Sequence, residues 1–146
     1  MQFITSRESK KEKVNKKIMN VMVWICPFIS CTVVFSILMK ALNYDVNIPI
    51  IAMFIISSIE IVVGNYLPKC RQNSVVGIRI PWTMKSEYNW NRTHRFAGNV
   101  YFSIGVVTLI LTFFINNIAA LLIINIILLL SPIAYSFKIR NSLKNA

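Results

Sequence analysis

One carboxylate, Glu60, interrupts the apolar run from Ile48 to Leu67, and the one histidine, His94, lies in a basic and aromatic stretch beside Trp90, Arg92 and Arg95. A charge near the centre of a bilayer costs roughly 2.5 to 3.5 kcal/mol on insertion scales, so Glu60 takes a partner, stays protonated or relays protons. An imidazole titrates at about pH 6.5, which leaves His94 two readings, a proton-handling group or a hydrogen-bonding anchor where a helix begins. Arg79, Arg92 and Arg95 suit bidentate contact with a lipid phosphate or a peptide carboxylate.

Enzymatic chemistry finds little support. Hydrolysis needs a nucleophile with its base, or a metal with several ligands, and one histidine beside Thr93 supplies neither. Cys26, Cys31 and Cys70 form no Cys-x-x-Cys pair and have no companion histidines, so a metal site is not expected. Two of these cysteines lie in an apolar run and the third among basic residues, and all three read as unpaired thiols. We expect a non-enzymatic protein with no catalytic residue, no metal and no cofactor.

The elements that position these groups are apolar and long. Hydrophobic residues make up 55% of the 146-residue chain and charged residues only 14%, whereas a soluble domain carries nearer a quarter charged. Four runs stand out, at about 18–39, 48–67, 96–115 and 118–137, and about 20 helical residues suffice to cross the hydrocarbon. Helices satisfy their own backbone groups where no water is present. The expected fold class is therefore all-α, an integral membrane protein with four transmembrane helices. The first run is too long for the core of a typical secretory signal and no small-x-small cleavage site follows it, so we expect it to be retained.

Lysine and arginine set the orientation. Six precede the first run, six lie between the second and third, and three follow the fourth, leaving Lys40 alone on the other side. This asymmetry predicts an N-in/C-in arrangement in a bacterial plasma membrane, with a basic cytoplasmic tail over 1–17, a cytoplasmic loop over 68–95 and a cytoplasmic tail over 138–146. It also accounts for the net charge of +11 without direct nucleic-acid binding. Anionic membrane lipids are expected partners of the basic tail.

Within the second run Glu60 lies roughly 18 Å below the outer end of its helix, level with Ser103 in the third run and Ser131 in the fourth, at about 1.5 Å per residue. Those hydroxyls are its expected partners. Ser57 and Gly64 share its face and form a small-residue stripe for close helix packing. Asn125 reads as an interhelical hydrogen-bonding residue, and Pro27 and Pro132 as kinks.

The 68–95 loop carries the specific pattern. Gly77 permits a positive backbone angle, Pro81 holds Ile80 extended, and Trp82 has the amphipathic shape of a headgroup boundary. Ser86 reads as a helix N-cap, followed by Glu87 in the first turn. Trp90, His94, Ala97 and Tyr101 then recur on one helical face, so the third helix starts ahead of the membrane and runs into it. Asn65 and Asn73 either bind a partner or brace the loop.

The run Gly64-Asn65-Tyr66-Leu67-Pro68-Lys69, then Asn73, Gly77-Ile78-Arg79, Pro81-Trp82-Thr83, Trp90, Thr93-His94-Arg95 and Gly98 resembles the signature of the SdpI family of bacterial membrane proteins. Met84 stands where leucine is expected, a swap of similar volume. Longer members carry a further N-terminal membrane region, and here one span precedes the helix bearing Gly64. The resemblance implies immunity to a membrane-active peptide toxin, a part in holding a transcriptional repressor at the membrane, and a site built from these signature residues. The alternative from another class is a small proton-coupled exporter that uses Glu60.

Overall fold

The computed structural model describes the backbone of residues 2–115 and 117–144, and the side chains of 16, 18–115 and 117–142. The side chains of Arg7, Lys10, Lys11, Lys13, Lys17 and Lys144, which weigh in the charge asymmetry, and Asn116 of the last connection lie outside the described residues. Helices and loops account for all of the described chain, with no strand among the described residues.

Five α-helices follow in order: α1 (Gln2–Ala41), α2 (Ile48–Tyr66), α3 (Pro81–Lys85), α4 (Glu87–Leu111) and α5 (Ile118–Lys144). Four of them contain a segment long and apolar enough to cross a membrane: Ile18–Ala41, Ile48–Lys69, Glu87–Leu111 and Ile118–Ser142.

Local chemistry places the helix ends. α1 stops at Asn43, which takes φ +63°, while the Tyr44 N–H donates back to the Met39 carbonyl at 3.1 Å. Asparagine is among the few residues that adopt this left-handed cap readily. Asn47 caps α2 by accepting the Ile50 N–H, and Asn117 accepts the Ala120 N–H at 3.1 Å as α5 begins. A 3-10 turn over Leu67–Lys69 closes α2, where Pro68 has no N–H to continue the ladder.

Helix lengths differ from the apolar runs. α1 extends upstream to Gln2 and α5 beyond Phe137 to Lys144, because the basic ends contain neither glycine nor proline to stop them. α4 ends at Leu111 rather than near Ile115. There Phe113 and Phe114 bond to carbonyls three residues back, the tightening that closes many helices.

α4 is the central helix, packed against α2 on one side and α5 on the other. Gly64 and Gly98 face each other across the α2–α4 crossing. A Cβ built on either would come within 2.9 Å of the other's carbonyl oxygen, so only hydrogen fits there. Gly105 allows the same approach to Ser57 and Ile61. α1 contributes little, with only 6% of its apolar segment buried, and presents Val23, Trp24, Phe28 and Val34 outward. An apolar helix this exposed requires an apolar solvent.

Candidate functional site

Polar side chains concentrate where α2 ends and α4 begins. Segment 70–80 folds back over the start of α4, and Asn73 organises it. The Asn73 Oδ1 accepts the N–H groups of Val75 and Val76 at 2.8 and 2.7 Å. Its Nδ2 donates to the carbonyls of Arg71 and Val76, so one amide satisfies four backbone groups that no helix could.

Gly77 then brings the chain against two rings. Its φ is +124°, and an added Cβ would lie 2.5 Å from the His94 Nε2 and 2.8 Å from the Trp90 ring. Backbone angle and space both demand glycine. The next N–H, that of Ile78, donates to the His94 Nε2 at 3.0 Å.

Trp90 and His94 are wholly buried and stacked, with centroids 4.0 Å apart and planes 18° from parallel. The Trp90 indole N–H donates to the Cys70 carbonyl at 2.9 Å, which ties the loop to α4 at a second point. Burial pushes the Cys70 thiol above its ordinary value, while a hydrogen bond from Asn73 pulls it the other way.

A second cluster joins three helices. Ser86 caps α4 by accepting the Asn89 N–H. The Asn89 Oδ1 accepts from the hydroxyls of Thr93 and Ser136, both at 2.9 Å. Its Nδ2 donates to the Ser136 carbonyl of α5 at 3.2 Å, and the Trp82 indole N–H of α3 donates to the Ser136 hydroxyl at 2.9 Å. Asn89, Thr93 and Ser136 are fully buried, and within this connected cluster each hydroxyl and amide is used. Thr83 locks the start of α3, accepting the Ile80 N–H and donating to the Ile78 carbonyl. The Arg140 guanidinium lies 5.3 Å over the Trp82 ring.

The structure thus brings together Asn73, Gly77, Trp82, Thr83, Trp90, Thr93 and His94. Asn65, Lys69, Arg79, Pro81 and Arg95 lie around this knot and remain exposed, with Lys69 donating to Asn65 at 3.3 Å. Sequence reasoning missed Asn89, Ser136 and Gln72, whose amide donates to the carbonyls of Thr83 and Met84. Signals were present, because Asn89 precedes Thr93 by one helical turn and Ser136 is a small polar residue in an apolar helix.

Glu60 departs from expectation. It is buried, but neither carboxylate oxygen takes a hydrogen bond, so Ser103 and Ser131 are not its partners. Ser103 is exposed and lies beside Gly64 and Asn65, toward the end of α2, rather than at the level of Glu60. Asn125 bonds between helices, donating to the Thr108 hydroxyl at 2.7 Å.

Residues 69–136 match the model of a family described as the SdpI/YfhL protein family. Over 94 residues the chain is 35% identical to a protein named Immunity protein SdpI from Bacillus subtilis (strain 168). That alignment covers 64% of this chain and 45% of the relative, so the chain spans somewhat less than half the length of the curated protein it matches. No solved structure matches it. The SdpI/YfhL segment starts at Lys69 and closes at Ser136, and it contains both the Trp90–His94 stack and the Asn89–Ser136 cluster. With four membrane-length apolar helices, the chain is a multi-pass membrane protein.

Proposed function

We propose that this chain is a member of the SdpI/YfhL family and protects the bacterial plasma membrane that holds it against a membrane-active peptide toxin, without catalysing a reaction. The observation that carries the reading is the 35% identity to an immunity protein over 94 residues, with the family segment enclosing the knot. In this reading the buried residues are a foundation. His94 has both ring nitrogens bonded to backbone and acts as an anchor, while Arg79, Pro81 and Met84 form the exposed surface that meets the peptide.

The lysine and arginine asymmetry supports an orientation with both termini and the 68–95 segment in the cytoplasm. The protein then acts on a peptide already inserted in the bilayer. The same exposed surface is where a cytoplasmic transcriptional repressor would dock in a signalling role.

Expression in a sensitive bacterial host tests the proposal by survival under a panel of membrane-active peptides. Protection against at least one of them, reduced at least tenfold by Trp82→Ala or His94→Ala, supports it. Survival equal to that of an empty vector across the panel counts against it.

One observation favours a second reading, a small proton-coupled exporter. The Glu60 oxygens are buried with no hydrogen bond of ordinary length, and intramembrane carboxylates often carry protons. That reading expects Glu60→Gln to abolish activity while Trp82→Ala and His94→Ala remain mild.

A further inference from the structure

Beside the knot lies a cavity of about 880 Å³ that the protective role does not use. It opens between the start of the α1 span, the end of α2 and the first turns of α4. Its lining includes Ile18, Tyr66, Lys69, Arg71, Asn91 and Arg95. Three of these are cations, and no carboxylate lines the cavity among the described residues.

Among the described residues no carboxylate pairs with these cations. Lys69 donates to the neutral Asn65 at 3.3 Å and sits 5.4 Å over the Tyr66 ring, while Arg71 and Arg95 are exposed. Asn91 and Arg95 are one helical turn apart and so share a face of α4.

Depth identifies the class of ligand. The apolar segment of α1 begins at Ile18 and that of α2 finishes at Lys69, so the cavity sits where two spans leave the hydrocarbon. A phosphate at this level meets the cations directly, and an acyl chain attached to it continues along the outward apolar face of α1, where Met19 and Val23 are exposed. Guanidinium groups bind phosphate bidentately, and basic cavities between membrane helices select anionic headgroups. The volume falls within the roughly 300–1,000 Å³ of small-molecule sites.

We propose that this cavity binds the phosphate headgroup of an anionic phospholipid, with Arg71 and Arg95 on the phosphate and Lys69 as the third cation. The site is separate from the peptide-facing surface, so its test does not depend on the protective role.

The test is native mass spectrometry of the full chain in a neutral detergent, titrated with phosphatidylglycerol or with phosphatidylcholine of the same acyl chains. One phosphatidylglycerol is retained per chain, on the order of tenfold more tightly than phosphatidylcholine. Combined Arg71→Gln and Arg95→Gln remove the preference, as does Asn91→Phe, which fills the cavity without changing charge. Combined Lys85→Gln and Lys138→Gln, at exposed positions outside the cavity, leave it intact. Equal retention of the two lipids overturns the proposal, and so does equal loss in the Lys85/Lys138 variant, which means diffuse attraction. Inorganic phosphate binding without lipid, with the same dependence on Arg71 and Arg95, overturns the lipid assignment in favour of a soluble phosphate.

Discussion

The His94 Nε2 accepts the backbone N–H of Ile78 at 3.0 Å, across sixteen residues of chain. The other ring nitrogen faces the Trp90 carbonyl at 2.8 Å. An amide N–H only donates and a carbonyl only accepts, so the ring is neutral with its proton on Nδ1. A protonated ring would set an N–H against the Ile78 N–H, so the contact that holds the loop exists only with the neutral imidazole.

His94→Ala leaves the Ile78 N–H without a partner and a void beside Trp90. The expected cost is about 1–3 kcal/mol for the unmet polar groups, read as a lower unfolding temperature in detergent with Trp90 fluorescence as the probe. An unchanged unfolding temperature would show that the stack does not hold the loop.

Gly77→Ala meets strain from the φ of +124° and a collision with two ring systems. The expected loss is about 1–3 kcal/mol, with increased proteolysis within 70–80 while the membrane helices stay intact. Wild-type resistance to proteolysis in the variant would contradict the observed loop path.

Ser136 joins Trp82 to Asn89, so Ser136→Ala and Trp82→Phe disrupt one cluster. Their effects on stability are expected to be non-additive by about 0.5–3 kcal/mol in a double-mutant cycle. Simple additivity would mean that α3 and α5 are not coupled through this hydroxyl.

Cys70 is only 2% exposed, and burial holds its thiol above the ordinary value. Alkylation of the intact protein at neutral pH is expected to be about tenfold or more slower at Cys70 than at a cysteine placed at the exposed Ser74, because the thiolate is the reacting form. The rate at Cys70 rises only at pH above the usual thiol range. Equal rates at the two positions would contradict the burial. Orientation is therefore best probed from Ser74.

Glu60→Gln keeps the shape of the side chain and removes its capacity for charge. With no hydrogen bond of ordinary length to the carboxylate, the substitution is expected to leave both stability and peptide protection unchanged. Loss of all protection in Glu60→Gln, with His94→Ala unaffected, would favour the exporter.

The four apolar segments and the Ser86 cap were legible because length, hydropathy and cap chemistry are local properties. Gly77 was legible as a turn residue, but not as a residue pressed against His94. The pairing of Asn89 with Ser136 spans forty-seven residues and depends on how α5 rotates against α4. α5 is apolar nearly all round, and Asn125 and Ser136 mark its packing face only as isolated polar positions that name no partner on α4. Counting residues along the apolar runs misassigned the surroundings of Glu60, since it does not fix the level at which α4 packs against α2, and Ser103 lies beside Gly64 instead.

In the proposed role this chain keeps a membrane sealed against an inserted peptide by means of the loop anchored on His94. Membrane potential tests it most directly, followed with a voltage-sensitive dye in cells of a sensitive host exposed to a depolarising peptide. Cells carrying the intact chain are predicted to hold their potential, while cells with an equal membrane level of the His94→Ala variant lose it. Equal depolarisation with the intact chain and with an empty vector would contradict the account.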